Sequence, residues 1–175
     1  MELLIGCGSI RIKKLAYDGR ADWAELVTLD MNRDHAPDVV HDLADLPLPF
    51  ADGIFDEIHA YDVLEHVGAQ GDWRFFFAQW ADFWRLLKPD GLFFGVSPHP
   101  TSPWAWADPG HTRLICSESF VFLSQAQYAA QVGVTPMTDY RFCYGGDFEA
   151  VHLLHHRETG QHEFVLRAIK PARTP

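Results

Sequence analysis

A glycine turn, Gly6-Cys7-Gly8-Ser9, follows the short apolar run at residues 2–5. Glycines let a backbone reverse sharply and let a ligand approach it closely. The next apolar run, LVTLD, closes on Asp30. A strand-end carboxylate about 20 residues beyond a glycine turn can accept hydrogen bonds from both hydroxyls of a ribose. The pair points to a cofactor built on adenosine. A dinucleotide would want a third glycine, so that a helix N-terminus could hold its pyrophosphate. Arg11 stands there instead, and Lys13 and Lys14 follow, so a nicotinamide or flavin site is disfavoured.

A second group of reactive side chains lies further on. Residues 97–114 read SPHPTSPWAWADPGHTRL, too rich in proline for regular structure. Long loops in compact domains are usually functional or disordered, and Trp104 and Trp106 argue for order. Asp108 can orient His111, which could then take a proton from an acceptor. The alternative is a self-contained clasp, with Asp108 capping a turn and His111 bonding backbone. Glu65 and His66 form a neighbouring pair whose role can be purely structural. His152, His155, His156 and His162 cluster near the C-terminus. In a strand, His152 and His156 share a face, and a hairpin could bring His162 near His156. They have no motif spacing and no nearby cysteine, so no metal site is expected.

These groups need a scaffold. Apolar runs at 2–5, 26–30, 38–41, 55–61 and 91–96 read as strands. Between the last two, Trp73, Phe76, Phe77, Trp80, Trp84 and Leu87 recur at helical spacing, with Asp72 as N-cap and Pro89 beyond the end. A shorter helix follows Ser124, with Gly133 as its stop. Segments 148–155 and 162–169 flank Glu158-Thr159-Gly160 as a hairpin. The order predicts an α/β fold: a Rossmann-like, mostly parallel sheet with a C-terminal antiparallel hairpin, in a three-layer sandwich. Ligands in such sheets bind at the carboxyl ends of the strands.

The 175 residues fit one domain spanning 1–175. With 24 acidic residues against 14 Lys plus Arg, the net charge is −10, which disfavours nucleic acid without excluding it. No apolar run is long enough to span a bilayer, so no membrane partner is expected. Three scattered cysteines form no disulfide framework, and a cytoplasmic setting is expected.

Three further segments then occur in order: DLADLPLPF from Asp42, FDEIHAYDVLEHV, and FWRLLKPDGLFFG. With the glycine turn and Asp30, the chain resembles the class I S-adenosylmethionine-dependent methyltransferases. It looks most like the small members found in bacteria and their phages. The resemblance covers residues 3 to about 97. It implies S-adenosylmethionine as cofactor and an unidentified methyl acceptor. Gly6, Cys7 and Gly8 would lie beside the amino-acid part of the cofactor, with Ser9 completing the turn. Asp30 would hold the ribose and Met31 would pack on adenine. Asp42 would accept from the adenine amino group, near the Leu43 amide. Tyr61 and Asp62 would face the cofactor and the incoming nucleophile. His66 matches the histidine of the family's LEH pattern. If a base is needed, His111 with Asp108 comes first and His66 second. The sequence departs from the family where Leu4 replaces the usual acid and where the third glycine is missing. The competing reading is a non-catalytic module of the same fold that binds the cofactor or a partner.

Overall fold

The computed structural model describes residues 1–17 and 19–173. One seven-stranded sheet organises them: β1 Glu2–Ile5, β2 Leu26–Asp30, β3 Val39–Val40, β4 Phe55–Tyr61, β5 Leu87–Pro98, β6 Phe148–His156 and β7 Gln161–Ala168. The spatial order is β3-β2-β1-β4-β5-β7-β6. The first five strands are parallel, and β7 runs antiparallel to both β5 and β6. The chain moves outward from β1 to β3 and returns to β4 on the other side of β1. That reversal makes a switch point at the carboxyl ends of β1 and β4.

Helix α1, Trp73–Leu86, begins as its sequence dictates: the Asp72 carboxylate accepts from the Phe75 amide at 3.1 Å. Its apolar stripe buries Phe77, Trp80, Phe83 and Leu86. Trp80 packs edge-on or tilted against Phe83, Phe93, Phe120 and Phe148. Truncating such a ring costs about 3–5 kcal/mol. Among the described residues there are two shorter α-helices: α2 Trp104–Ala107, a single turn that departs from the irregular structure expected of 97–114, and α3 Gln125–Gln131, which Ser124 caps through the Gln127 amide.

Helices α1 and α3 share one core with Leu3, Ile5, Ile58, Phe93 and Phe164. The opposite face carries Leu4, Cys7, Tyr61 and Val96, and its cover comes from Leu15 and Trp23. On that side the described residues of the connection between β1 and β2 form an irregular cover, where the three-layer expectation would have a helical layer. Beneath the connection lies a polar network. Lys13 Nζ is 2.7 Å from Glu57 and 3.2 Å from Glu2. His59 bridges Glu57 at 2.9 Å and the Tyr61 hydroxyl at 2.6 Å.

β6 and β7 differ from their predicted extents by one residue, and two strands differ by more. β3 shrinks to two residues because Asp38 takes the place of a strand partner: its carboxylate accepts from the Thr28 amide and hydroxyl. β5 starts at Leu87, since Leu87 pairs with Phe55 and Leu92 with Glu57. The turn residues Lys88 to Gly91 bulge out between those pairings, and Asp90 adopts φ 61°.

Candidate active site

A cavity of about 600 Å³ opens at the switch point, within the range of small-molecule sites. Gly6 and Gly8 form its floor with φ of 58° and 53°. A Cβ on Gly6 would meet Val63 Cγ2 at 2.2 Å, so the turn requires glycine there. The Gly8 amide donates to Asp30 Oδ2 at 2.9 Å, and the Asn32 amide donates to Asp30 Oδ1 at 2.8 Å. His35 Nδ1 lies 3.2 Å from the same carboxylate. Burial pushes the Asp30 pKa up, but those amides and His35 outweigh it and hold the carboxyl below its ordinary range. Asp30 is thus a fixed anion that ties the glycine turn to the end of β2.

Asp42 accepts from the Ala44 amide at 2.9 Å, and this small turn sets Leu43 into the wall. Met31 is exposed at the rim. Asp62 closes the other side in a left-handed conformation, φ 53°, that non-glycine residues rarely adopt. Its carboxylate is held from two directions, by Lys14 at 2.8 Å and by Gln161 Nε2 at 3.0 Å. His66 completes the wall.

Three of the expected cofactor contacts lie outside this wall. Strand alternation turns the Tyr61 ring to the opposite face of the sheet. There its hydroxyl accepts from the Leu15 amide at 3.2 Å and meets His59. Burial pushes the Tyr61 pKa well up. Cys7 is buried in the apolar cluster on that same face, and burial followed by the Asp30 charge pushes its thiol pKa up. Ser9 is exposed. His35, in contrast, joins the site without a sequence signal beyond Asn32. The Asn32 side chain caps the turn Arg33–His35 through the Asp34 amide, and that turn places His35 against Asp30.

Residues 108–113 clamp onto the turn Leu64–His66. The Thr112 amide donates to the Glu65 carbonyl at 2.9 Å, and Arg113 Nε donates to the Leu64 carbonyl at 2.9 Å. Arg113 also donates to Gln79, and burial lowers its pKa to about 10. His66 Nδ1 faces the Gly110 carbonyl at 3.1 Å, and the His66 and His111 ring centroids are 4.6 Å apart. Asp108 caps its own turn by accepting from the Gly110 amide at 2.7 Å. It lies 3.9 Å from His111 Nε2, beyond hydrogen-bond reach. The clasp alternative describes Asp108, and the carboxylate that would have oriented His111 does not do so. Glu65 is buried beneath this clamp, and burial raises its pKa to about 7. Trp104 and Trp106 are both 68% exposed, and the Trp106 indole N–H donates to the Pro100 carbonyl at 2.9 Å. A second hollow of about 620 Å³ runs along the start of this loop, between His99, Trp104 and His155.

The family model described as a methyltransferase domain matches residues 3–95, more than half of the chain. The chain belongs to the methyltransferase domain family. It is a class I S-adenosylmethionine-dependent methyltransferase, and its mostly parallel sheet with antiparallel C-terminal strands is the Rossmann-like methyltransferase fold. Solved methyltransferases share the fold at low identity. A S-adenosylmethionine-dependent methyltransferase from Archaeoglobus fulgidus is 16% identical, with a TM-score of 0.58 over 95% of this chain and 85% of that one. The N-methyltransferase NodS from Bradyrhizobium japonicum, in complex with S-adenosyl-L-homocysteine, is 14% identical, with a TM-score of 0.56 over 95% of this chain and 76% of that one. A methyltransferase from Methanosarcina mazei is 18% identical, with a TM-score of 0.55 over 96% and 92% of the two chains. No curated protein matches the sequence. No helix among the described residues is long and apolar enough to cross a membrane.

Proposed function

We propose that this methyltransferase transfers a methyl group to its acceptor by direct in-line displacement, with residues 97–114 shaping the acceptor side. The observation that carries the reading is Asp30. It is a buried, ionised carboxylate fixed at the switch point by two backbone amides and His35. A carboxylate offers about four lone-pair positions, so one that already accepts these bonds still has capacity for a ribose hydroxyl. S-adenosylmethionine supplies an activated methyl group, so the difficult chemistry belongs to the cofactor.

The residues at the cavity fit that group. Gly6 and Gly8 leave room beside their backbone for its amino-acid part. Met31, Asp42 and Leu43 converge on the side where adenine would lie, and Leu43 adds apolar surface. Asp62 is held by Lys14 and Gln161 at the edge where the acceptor would enter. The protein's own contribution is alignment and exclusion of water. His66 and His111 are the groups at this edge that can take a proton from the acceptor. Asp108 holds the clasp through the Gly110 amide and faces His111 Nε2 at 3.9 Å.

Calorimetry with S-adenosylmethionine, S-adenosylhomocysteine and NAD tests the reading. Binding of both S-adenosyl ligands and no binding of NAD is expected. Tight NAD binding without S-adenosyl binding would overturn it.

A further inference from the structure

Beside the cofactor cavity, three side chains with metal-ligating atoms converge, and Asp108 Oδ2 stands 3.9 Å from the Nε2 of one of them, His111. Glu65 is 3% exposed, and neither of its carboxylate oxygens has a hydrogen-bond partner. An unpaired buried carboxylate is strongly disfavoured. Arg113, the buried cation clamped to the same turn, donates Nε to the Leu64 carbonyl and Nη2 to Gln79, and reaches Glu65 by charge attraction without a hydrogen bond. One donor atom each from Glu65, His66 and His111 lies within 4.8 Å of the other two. Both imidazoles turn Nδ1 to a backbone carbonyl: His66 to Gly110 at 3.1 Å, and His111 to Ala105 at 3.4 Å. An Nδ1–H donated to a carbonyl leaves a bare lone pair on Nε2. A ligating histidine needs that tautomer, and a carbonyl is its usual outer partner.

We propose that Glu65, His66 and His111 hold one divalent transition-metal ion, and that its open coordination positions take a hydroxyl oxygen of the methyl acceptor. An ion about 2.0–2.2 Å from each ligand needs donors no more than about 4.4 Å apart, so shifts of a few tenths of an ångström close the set. One carboxylate with two imidazoles suits zinc, manganese, iron or cobalt better than magnesium or calcium, which prefer oxygen ligands throughout. Three protein ligands leave positions free, as in catalytic metal sites. His66 belongs both to this set and to the wall of the cofactor cavity. The ion would therefore sit at the edge where the acceptor arrives.

The acceptor class follows from lone pairs. Coordination would consume the single lone pair of an amine, whereas a hydroxyl oxygen keeps others for attack. The ion lowers the hydroxyl pKa. With both imidazoles on the ion neither is free to act as a base, which replaces the proton-accepting role given to His66 and His111 above: the O–H bond breaks and its proton passes to solvent water. An oxygen lone pair forms the new O–CH3 bond, and the electron pair of the broken S–CH3 bond stays on sulfur. This part rests on the methyltransferase reading above; the metal site itself does not.

The test uses the untagged full chain, freed of metal with a chelator. Titration with Zn²⁺ by calorimetry, and with Co²⁺ by visible absorption, should show one equivalent bound. Glu65→Gln keeps the shape and removes the buried charge, so it should fold, as a thermal melt will verify. Both Glu65→Gln and His111→Ala should weaken metal binding at least tenfold. A His155→Ala/His156→Ala variant should bind as the wild type does. His111→Ala should retain S-adenosylhomocysteine affinity, which separates the metal site from the cofactor site. Wild-type metal affinity in both Glu65→Gln and His111→Ala, or no uptake by the wild type, would overturn the proposal. Absence of S-adenosylhomocysteine binding by the wild type would instead overturn the cofactor reading.

Discussion

Lys13 anchors the irregular cover of the sheet, and Lys13→Met should reveal how much that anchor contributes. Its side chain is fully buried between Glu57 at 2.7 Å and Glu2 at 3.2 Å, both nearly buried themselves. Methionine keeps the length of the chain and removes the charge, leaving two carboxylates without their central cation. Breaking a buried ion pair in this way costs about 3–5 kcal/mol. Arg20 lies 3.4 Å from Glu57 but is half-exposed, so it offsets part of the loss and places the value near the lower end, about 3 kcal/mol. For a chain of this length that corresponds to a fall in Tm of roughly 6–12 °C. Urea denaturation and a thermal melt at pH 7.5 would measure it. The Lys13→Met/Glu57→Gln double variant should recover part of the loss, because Gln can still accept from His59. A single variant within about 0.5 kcal/mol of wild type would refute the reasoning, since the network would then contribute nothing beyond surface charge.

Three other outcomes follow from particular contacts. A Cβ on Gly95 would sit 2.0 Å from the Phe164 ring, so Gly95→Ala should cost at least about 2 kcal/mol in chemical denaturation; a neutral result would mean that β5 and β7 can separate freely. Tyr61→Phe should leave S-adenosylhomocysteine affinity within about twofold and lower stability by about 1–2 kcal/mol, because His59 and the Leu15 amide lose a partner; a tenfold loss of affinity would return Tyr61 to the site. His162 is 1% exposed with both ring nitrogens unpartnered, and burial, then the nearby His99 and His155, push its pKa down to about 4. The folded value lies below the unfolded 6.5, so its full stability is present above pH 6.5 and is lost as pH falls toward 4. The loss is up to about 3 kcal/mol, and His162→Phe should flatten it between pH 7.5 and 4.5; an unchanged slope would assign the pH dependence to other groups.

The residues that line the switch-point cavity were readable because their geometry is local. Gly6, Gly8 and Asp30 stand at strand ends that apolar runs mark, and Asp42 opens a turn of its own. The Asp72 cap and the stripe through Trp80 located α1 for the same reason. Residues that answer to distant partners were not readable. FDEIHAY looks like a strand with one wet face, yet Glu57 and His59 are buried because Lys13 and Trp23 close over them from far along the chain. Tyr61 therefore reads as a site residue, while its hydroxyl sits in the network with His59 and the Leu15 amide. His111 acquires its neighbour His66 only when residues 108–113 dock on the turn at 64–66, and Glu65 gains meaning only with both. Periodicity and spacing carry no record of such convergence.

The central claim is that Asp30 anchors an S-adenosyl cofactor at the switch point. Titration of wild type and Asp30→Ala with S-adenosylhomocysteine tests it most directly, with a thermal melt to show that the variant is folded. Hydrogen bonds to a charged group are worth about 1.5–3 kcal/mol each, so losing the ribose contacts should weaken binding by roughly 100-fold. Equal affinity in the two proteins would contradict the account.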